Sequence, residues 1–186
     1  SPVDVEVEAT SMENNLVEFG FAEASDQVET STITNDAPTV FPLGETIVTW
    51  TATDSSGNSA SVTQSIIIID TTLPTIMSPV DVEVEATSME NNLVEFGFAE
   101  ASDQVEISTI TNDAPTVFPL GETIVTWTAT DFSGNSASAT QTITVVDTTS
   151  PILIAPESII QEAINHEVNP VKIGISEYTD IMEVTS

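Results

Sequence analysis

The sequence predicts an all-β protein: tandem β-sandwiches with Greek-key connections, about seven strands each, set head to tail. Three observations carry this. The segment that opens at Ser1 opens again at Ser78, and 11 of the 77 paired positions differ. Apolar and polar residues alternate with period 2 through much of each copy. No stretch shows sustained helical spacing, and Gly and Pro fall at turns. The period divides the chain into repeats at 1–72 and 73–149, with a partial third at 150–186 that has drifted from PVDVEVEAT to PESIIQEAI.

Within one repeat the elements follow in order. Val3 to Glu8 sets valines on one face and acids on the other, a half-buried first strand. Leu16 to Phe21 reads as a second, and its change of parity at Leu16/Val17 together with Gly20 points to a bulge or bend. Gln27 to Thr34 alternates polar and β-branched residues as a third. Asn35 to Pro38 is a turn, Thr39 to Phe41 a short edge segment ended by Pro42, and Leu43 to Glu45 a second turn. Glu45 to Thr53 is a long strand. Asp54 to Asn58 is a hairpin turn of residues that tolerate positive φ and Asx bonding. Ser59 to Ile69 returns as the last strand, and Asp70 to Pro74 is the joint to the next repeat. The ends of such a unit lie at opposite poles, so each repeat would add on the order of 35–40 Å to a rod.

Charge narrows the function. Each full repeat holds 12 acidic residues and no Lys or Arg, and the chain carries a net charge of −29. Such a surface repels phosphate backbones and anionic lipids, which argues against nucleic-acid and membrane-surface binding. No run of 18 apolar residues exists, so no membrane-spanning helix is expected. The chain has no cysteine, so stability rests on packing or metal rather than disulfides. Its 40% apolar content and regular alternation separate it from disordered acidic tails. It opens inside its own repeat without Met, which reads as a section of something longer. Residues 155–186 supply about three strands of a seven-strand plan. The missing strands then lie further along a parent chain or come from a neighbouring copy.

Three segments carry a family resemblance: Phe41-Pro42-Leu43-Gly44-Glu45-Thr46, Val48 to Asn58 (VTWTATDSSGN), and Asp70 to Ile76 (DTTLPTI). They recur at Phe118–Thr123, Val125–Asn135 and Asp147–Ile152. The set resembles the hyalin repeat, or HYR domain, an immunoglobulin-like module of extracellular and cell-surface proteins. The resemblance implies immunoglobulin-like sandwiches with a role in adhesion, surface display or scaffolding, and no catalysis. It departs from the family pattern at a cysteine pair. Ser1 and Trp50, and in the second copy Ser78 and Trp127, stand where that pair often lies, so a buried indole is expected in place of the bridge.

The acids are the candidates for chemistry. Sandwich topology puts the turn between the last two strands, and that between the second and third, at the end where the chain enters. For the second repeat these turns are Asp131 to Asn135 and Ala101 to Gln104, and the incoming joint holds Asp70. Asp70, Asp103 and Asp131 are expected to converge there with Asn135 beside them, and Asp147 and Asp180 to repeat the arrangement at the following joint. Converging carboxylates make a hard-oxygen site suited to Ca²⁺, which takes about six to eight such ligands. The plainer reading makes these residues ordinary turn and cap residues. Asp4, Glu6 and Glu8 read as a solvated strand face that opposes sheet-to-sheet aggregation. His166 has no counterpart in the other copies, where Met12 and Met89 stand, so it reads as a surface residue. No nucleophile–base–acid set recurs, and no catalytic residue is expected.

The expected function is structural: an extracellular array acting as stalk, adhesin or filament subunit on a cell surface. Its partners would be other copies of itself or neighbouring repeats. The alternatives are a calcium-dependent module that grips a receptor or glycan through loops such as Phe132 to Gly134, and an accessory domain of a secreted enzyme.

Overall fold

The computed structural model describes residues 2–27, 30–164 and 170–180. Among them the chain is strands and connecting segments, with no helix. By backbone proximity it divides into two compact units. One comprises Ser1–Ser78, Phe98–Asn112 and Thr126–Ala139; the other comprises Pro79–Gly97, Asp113–Val125 and Thr140–Ser186.

The first repeat contributes β1 (Val5–Glu8), β2 (Thr30–Asn35), β3 (Gly44–Asp54) and β4 (Ser59–Ile69). They form one sheet in the order β1-β4-β3-β2. β3 and β4 are the predicted hairpin, and Gly57 takes the positive φ of 89° that its turn requires. β1 lies parallel to β4, with Val5 opposite Ile66 and Val7 opposite Ile68. The inward faces bury Val48, Trp50, Ile66 and Ile68 with Ala9 and Phe41.

Leu16 to Phe21 is not a ladder strand, contrary to the expectation from its alternation. It runs as a strap over the sheet, with Val17 and Phe19 packed on the core. The Phe19 ring lies 5.6 Å from that of Phe41 and 5.9 Å from that of Trp50. A side chain takes the place of ladder partners. Buried Gln64 donates from Nε2 to the carbonyls of Val3 (2.7 Å) and Phe19 (2.9 Å), while its Oε1 accepts from Trp50 Nε1 (2.9 Å). Gly20, at φ 78°, supplies the predicted bend: Phe21 then faces solvent and Ala22 returns inward.

The second repeat follows the same plan. Its elements are β5 (Thr75–Met77), β6 (Val82–Glu85), β7 (Glu100–Ser102), β8 (Ile107–Asn112), β9 (Gly121–Asp131) and β10 (Ser136–Val146). The main sheet runs β6-β10-β9-β8. β5 comes from the joint and pairs antiparallel with β7, Ile76 opposite Ala101. The same device recurs downstream, where β11 (Ile152–Ile154) pairs with β12 (Glu177–Thr179). Trp50 and Trp127 are both buried, as expected of the residues in the cysteine positions; Ser1 and His166 lie outside the described residues.

Candidate metal centre

Period-2 alternation builds the site. On β4 the inward row is Gln64, Ile66, Ile68, and the next residue in that row is Asp70. On β9 it is Val125, Trp127, Ala129, and the row ends on Asp131. Around β7 it is Ala99, Ala101, Asp103, Val105. Each carboxylate thus terminates or interrupts an apolar inward row, a placement that buries Asp70 and Asp131 and half-buries Asp103. One oxygen from each of Asp70, Asp103 and Asp131 lies within 4.8 Å of the others, all three residues belonging to the first compact unit.

Most of the surrounding hydrogen bonds are local. Asp131 accepts from the backbone N–H of Asn135 at Oδ1 and from Asn135 Nδ2 at Oδ2, both at 2.9 Å. Desolvation pushes the Asp131 carboxyl up, but the Asn135 bonds and the N–H groups of Gly134 and Ser133 outweigh it and hold the group below its ordinary value. Asp103 accepts from the Val105 N–H (3.0 Å). Asp70 accepts from the Thr72 N–H at Oδ1 (3.1 Å), the cap role the plainer reading gave it. Its Oδ2 is different. The residue is only 9% exposed, and this oxygen is buried with no hydrogen-bond partner among the described residues. A buried carboxylate oxygen without a donor is costly, and two further carboxylates stand beside this residue.

The donor set fits a hard divalent cation. Oxygens on a Ca²⁺ sphere lie about 2.3–2.6 Å from the ion, so opposite ligands are up to about 5 Å apart. Asp70, Asp103 and Asp131 meet that limit without rearrangement. Asn135 stands beside the three acids, as expected. Its Nδ2 also donates to the Asp70 carbonyl (3.1 Å), so the side chain orients Asp131 and ties it to the joint. Asp147 and Asp180 join no group of three acids at this spacing among the described residues. Asp147 accepts from the Thr149 N–H (3.1 Å), as a cap does.

Sequence reasoning missed Glu8. Its carboxylate accepts from the N–H and hydroxyl of both Thr71 and Thr72, at 2.8–3.1 Å, and so clamps the joint that carries Asp70. Glu85 does the same for Thr148 and Thr149. The Thr71 N–H is the largest influence holding Glu8 below its ordinary value; for Glu85 it is the Thr148 hydroxyl. The signal lay in the Thr-Thr pair recurring after a strand-end glutamate in both copies.

Residues 69–145 match the family model of the HYR domain. The chain carries a hyalin repeat. It is 37% identical over 155 residues to hyalin of Strongylocentrotus purpuratus, covering 78% of this chain and 13% of that protein. It is 36% identical over 162 residues to hyalin of Lytechinus variegatus, covering 80% and 31%. A rat protein named for sushi, von Willebrand factor type A, EGF and pentraxin domains matches 53% of the chain at 41% identity, across 3% of its own length. The chain therefore spans less than a third of either hyalin. Among solved structures, human protocadherin-24 EC1-2 aligns over 77% of this chain and 95% of its own at 12% identity and a TM-score of 0.34. The hyalin repeat is a non-enzymatic module of the extracellular, adhesion type.

Proposed function

We propose that this hyalin-repeat chain is a structural spacer of the cell surface, acting as stalk, adhesin or filament subunit, and that Ca²⁺ stiffens the joint where one repeat runs into the next. It has no catalytic role in this reading. One observation carries the proposal: Asp70, whose buried Oδ2 has no hydrogen-bond partner among the described residues, brings a carboxylate oxygen within 4.8 Å of one from each of Asp103 and Asp131. Asp70 sits on the joint itself, while Asp103 and Asp131 sit on turns of the following repeat. A cation that binds all three ties the joint to that repeat and removes their mutual repulsion. The net charge of −29 fits a chain that works in a medium rich in ions.

Calorimetric titration of the chelator-stripped chain with CaCl₂ tests this. Heat of binding that saturates and is lost in Asp103→Asn supports the joint site. No heat, together with an unchanged melting temperature, removes calcium from the account.

A further inference from the structure

The first repeat has four aromatic residues. Three of them, Phe19, Phe41 and Trp50, pack together in its core. The fourth, Phe21, is 90% exposed, and two aliphatic side chains stand out with it, Val3 at 84% and Leu16 at 82%. Val3 and the strap are neighbours, since Gln64 Nε2 holds the carbonyls of both Val3 and Phe19. Gly20, at φ 78°, breaks the alternation that would carry Phe21 inward after Val17 and Phe19. The counterparts repeat the pattern: Phe98, Val80 and Leu93 are 89%, 84% and 84% exposed, and Gly97 takes φ 81°. These three are internal residues with a joint before them and the rest of their repeat after them, so neither end of the chain produces the exposure. A lone apolar side chain in water is ordinary. The same three at the same places in both copies, one a phenylalanine turned out by a glycine, mark an interaction surface.

Charge says what fits it. Asp4 follows Val3, Glu18 and Glu23 flank Phe21 along the chain, and all three acids are exposed. The repeat has no Lys or Arg to neutralise them. We infer that this face of the first repeat docks a cationic protein segment in which arginine or lysine alternates with apolar side chains. Its apolar side chains cover Phe21, Val3 and Leu16, and its cations meet Asp4, Glu18 and Glu23. The exposed Phe21 ring also offers its face to a guanidinium, for which the repeat has no cation of its own. A second copy is a poor occupant, because it brings 12 further acids and no base per repeat. Anionic lipid is repelled for the same reason. The inference concerns this face alone and is independent of the cation site at the joint.

Fluorescence anisotropy with two labelled decapeptides tests it, in chelator at about 0.15 M NaCl. One peptide alternates Arg and Leu; the other, of equal charge, alternates Arg and Ser. The full chain is expected to bind the Arg–Leu peptide at least about tenfold more tightly. Phe21→Ser/Phe98→Ser changes the counterpart too, so that it cannot mask the loss. This variant should bring the two peptides level and leave the Arg–Ser affinity where it was. Circular dichroism checks its fold; if it misfolds, Val3→Ser/Val80→Ser takes its place and should narrow the preference in the same direction. A wild type that does not distinguish the peptides, or a preference that survives loss of both phenylalanines, overturns the proposal. So does wild-type self-association, or binding to phosphatidylcholine vesicles, that the phenylalanine variant loses: the face would then belong to a second copy or to a membrane.

Discussion

Replacing Asp70 by asparagine should reverse sign with the cation. Two carboxylates 4.8 Å apart repel by about 1 kcal/mol in bulk water and about 3.5 kcal/mol at an effective dielectric near 20. Asp103 is half-exposed, which places its repulsion of Asp70 in the lower part of that range, about 1–2 kcal/mol. The asparagine amide keeps an oxygen for the Thr72 N–H, so the variant loses little else. In chelator, Asp70→Asn is therefore expected to melt above wild type. With calcium the balance changes. A site of extracellular-module affinity, with Kd of roughly 10⁻⁴–10⁻³ M, gains about 1.4–2.7 kcal/mol at about 10 mM calcium. That is on the order of 5–15 °C in melting temperature for a unit of this size. Wild type should then melt above the variant. Differential scanning calorimetry in chelator, in CaCl₂ and in NaCl of equal ionic strength reads the crossing. A wild-type melting temperature that calcium leaves where NaCl does, or a variant that rises by as much as wild type, refutes the reasoning.

Two further outcomes follow from the hydrogen bonds. Gln64→Leu leaves the Trp50 indole N–H and the Val3 and Phe19 carbonyls without their partner, at a cost of roughly 2–4 kcal/mol; a urea titration showing under about 1 kcal/mol would mean water replaces Gln64. Glu8 and Glu85 have depressed folded pKa values, so the stability they confer is complete above the ordinary value of 4.5 and fades as pH falls through the folded values. The melting-temperature gap between wild type and the Glu8→Gln/Glu85→Gln double variant should be largest at neutral pH and close as the pH falls below 4.5 and through the depressed folded values. Relief of overall negative charge acts on both proteins and cancels in that gap; a gap constant with pH would exclude the clamp.

The alternation of β3 and β4 was legible because each strand has one buried face, and a two-residue period then leaves little freedom of register. The three carboxylates were read from another rule, the placement of two turns and the incoming joint at one end of a sandwich; alternation adds why Asp70, in phase with Gln64, Ile66 and Ile68, points inward. The strap at Leu16 to Phe21 was not legible. Its alternation is that of a strand, but whether a ladder forms depends on a partner edge, and here the Gln64 side chain supplies the bonds. Glu8 is exposed as alternation placed it, but its clamp on Thr71 and Thr72 was not legible for a related reason. Alternation put it on the solvent face, and nothing local to β1 showed that Thr71 and Thr72 would fold back across it.

The unequal burial of two near-identical copies bears on what one module is. The matched HYR segment opens at residue 69, at the head of the joint, and not at Ser78 where the sequence period restarts. A joint that lends a strand to β7 and a carboxylate to Asp103 and Asp131 belongs physically to the repeat it enters. Two fragments of equal length separate the alternatives. Residues 70–146 keep β5 against β7, whereas residues 1–77 carry the same kind of strand at the wrong end and leave Glu23 to Ser25 without a partner strand. The first fragment should be the more stable by on the order of 2 kcal/mol, from three ladder residues and the burial of Ile76, Ala99 and Ala129. Equal urea midpoints would mean that each repeat is complete without its incoming joint.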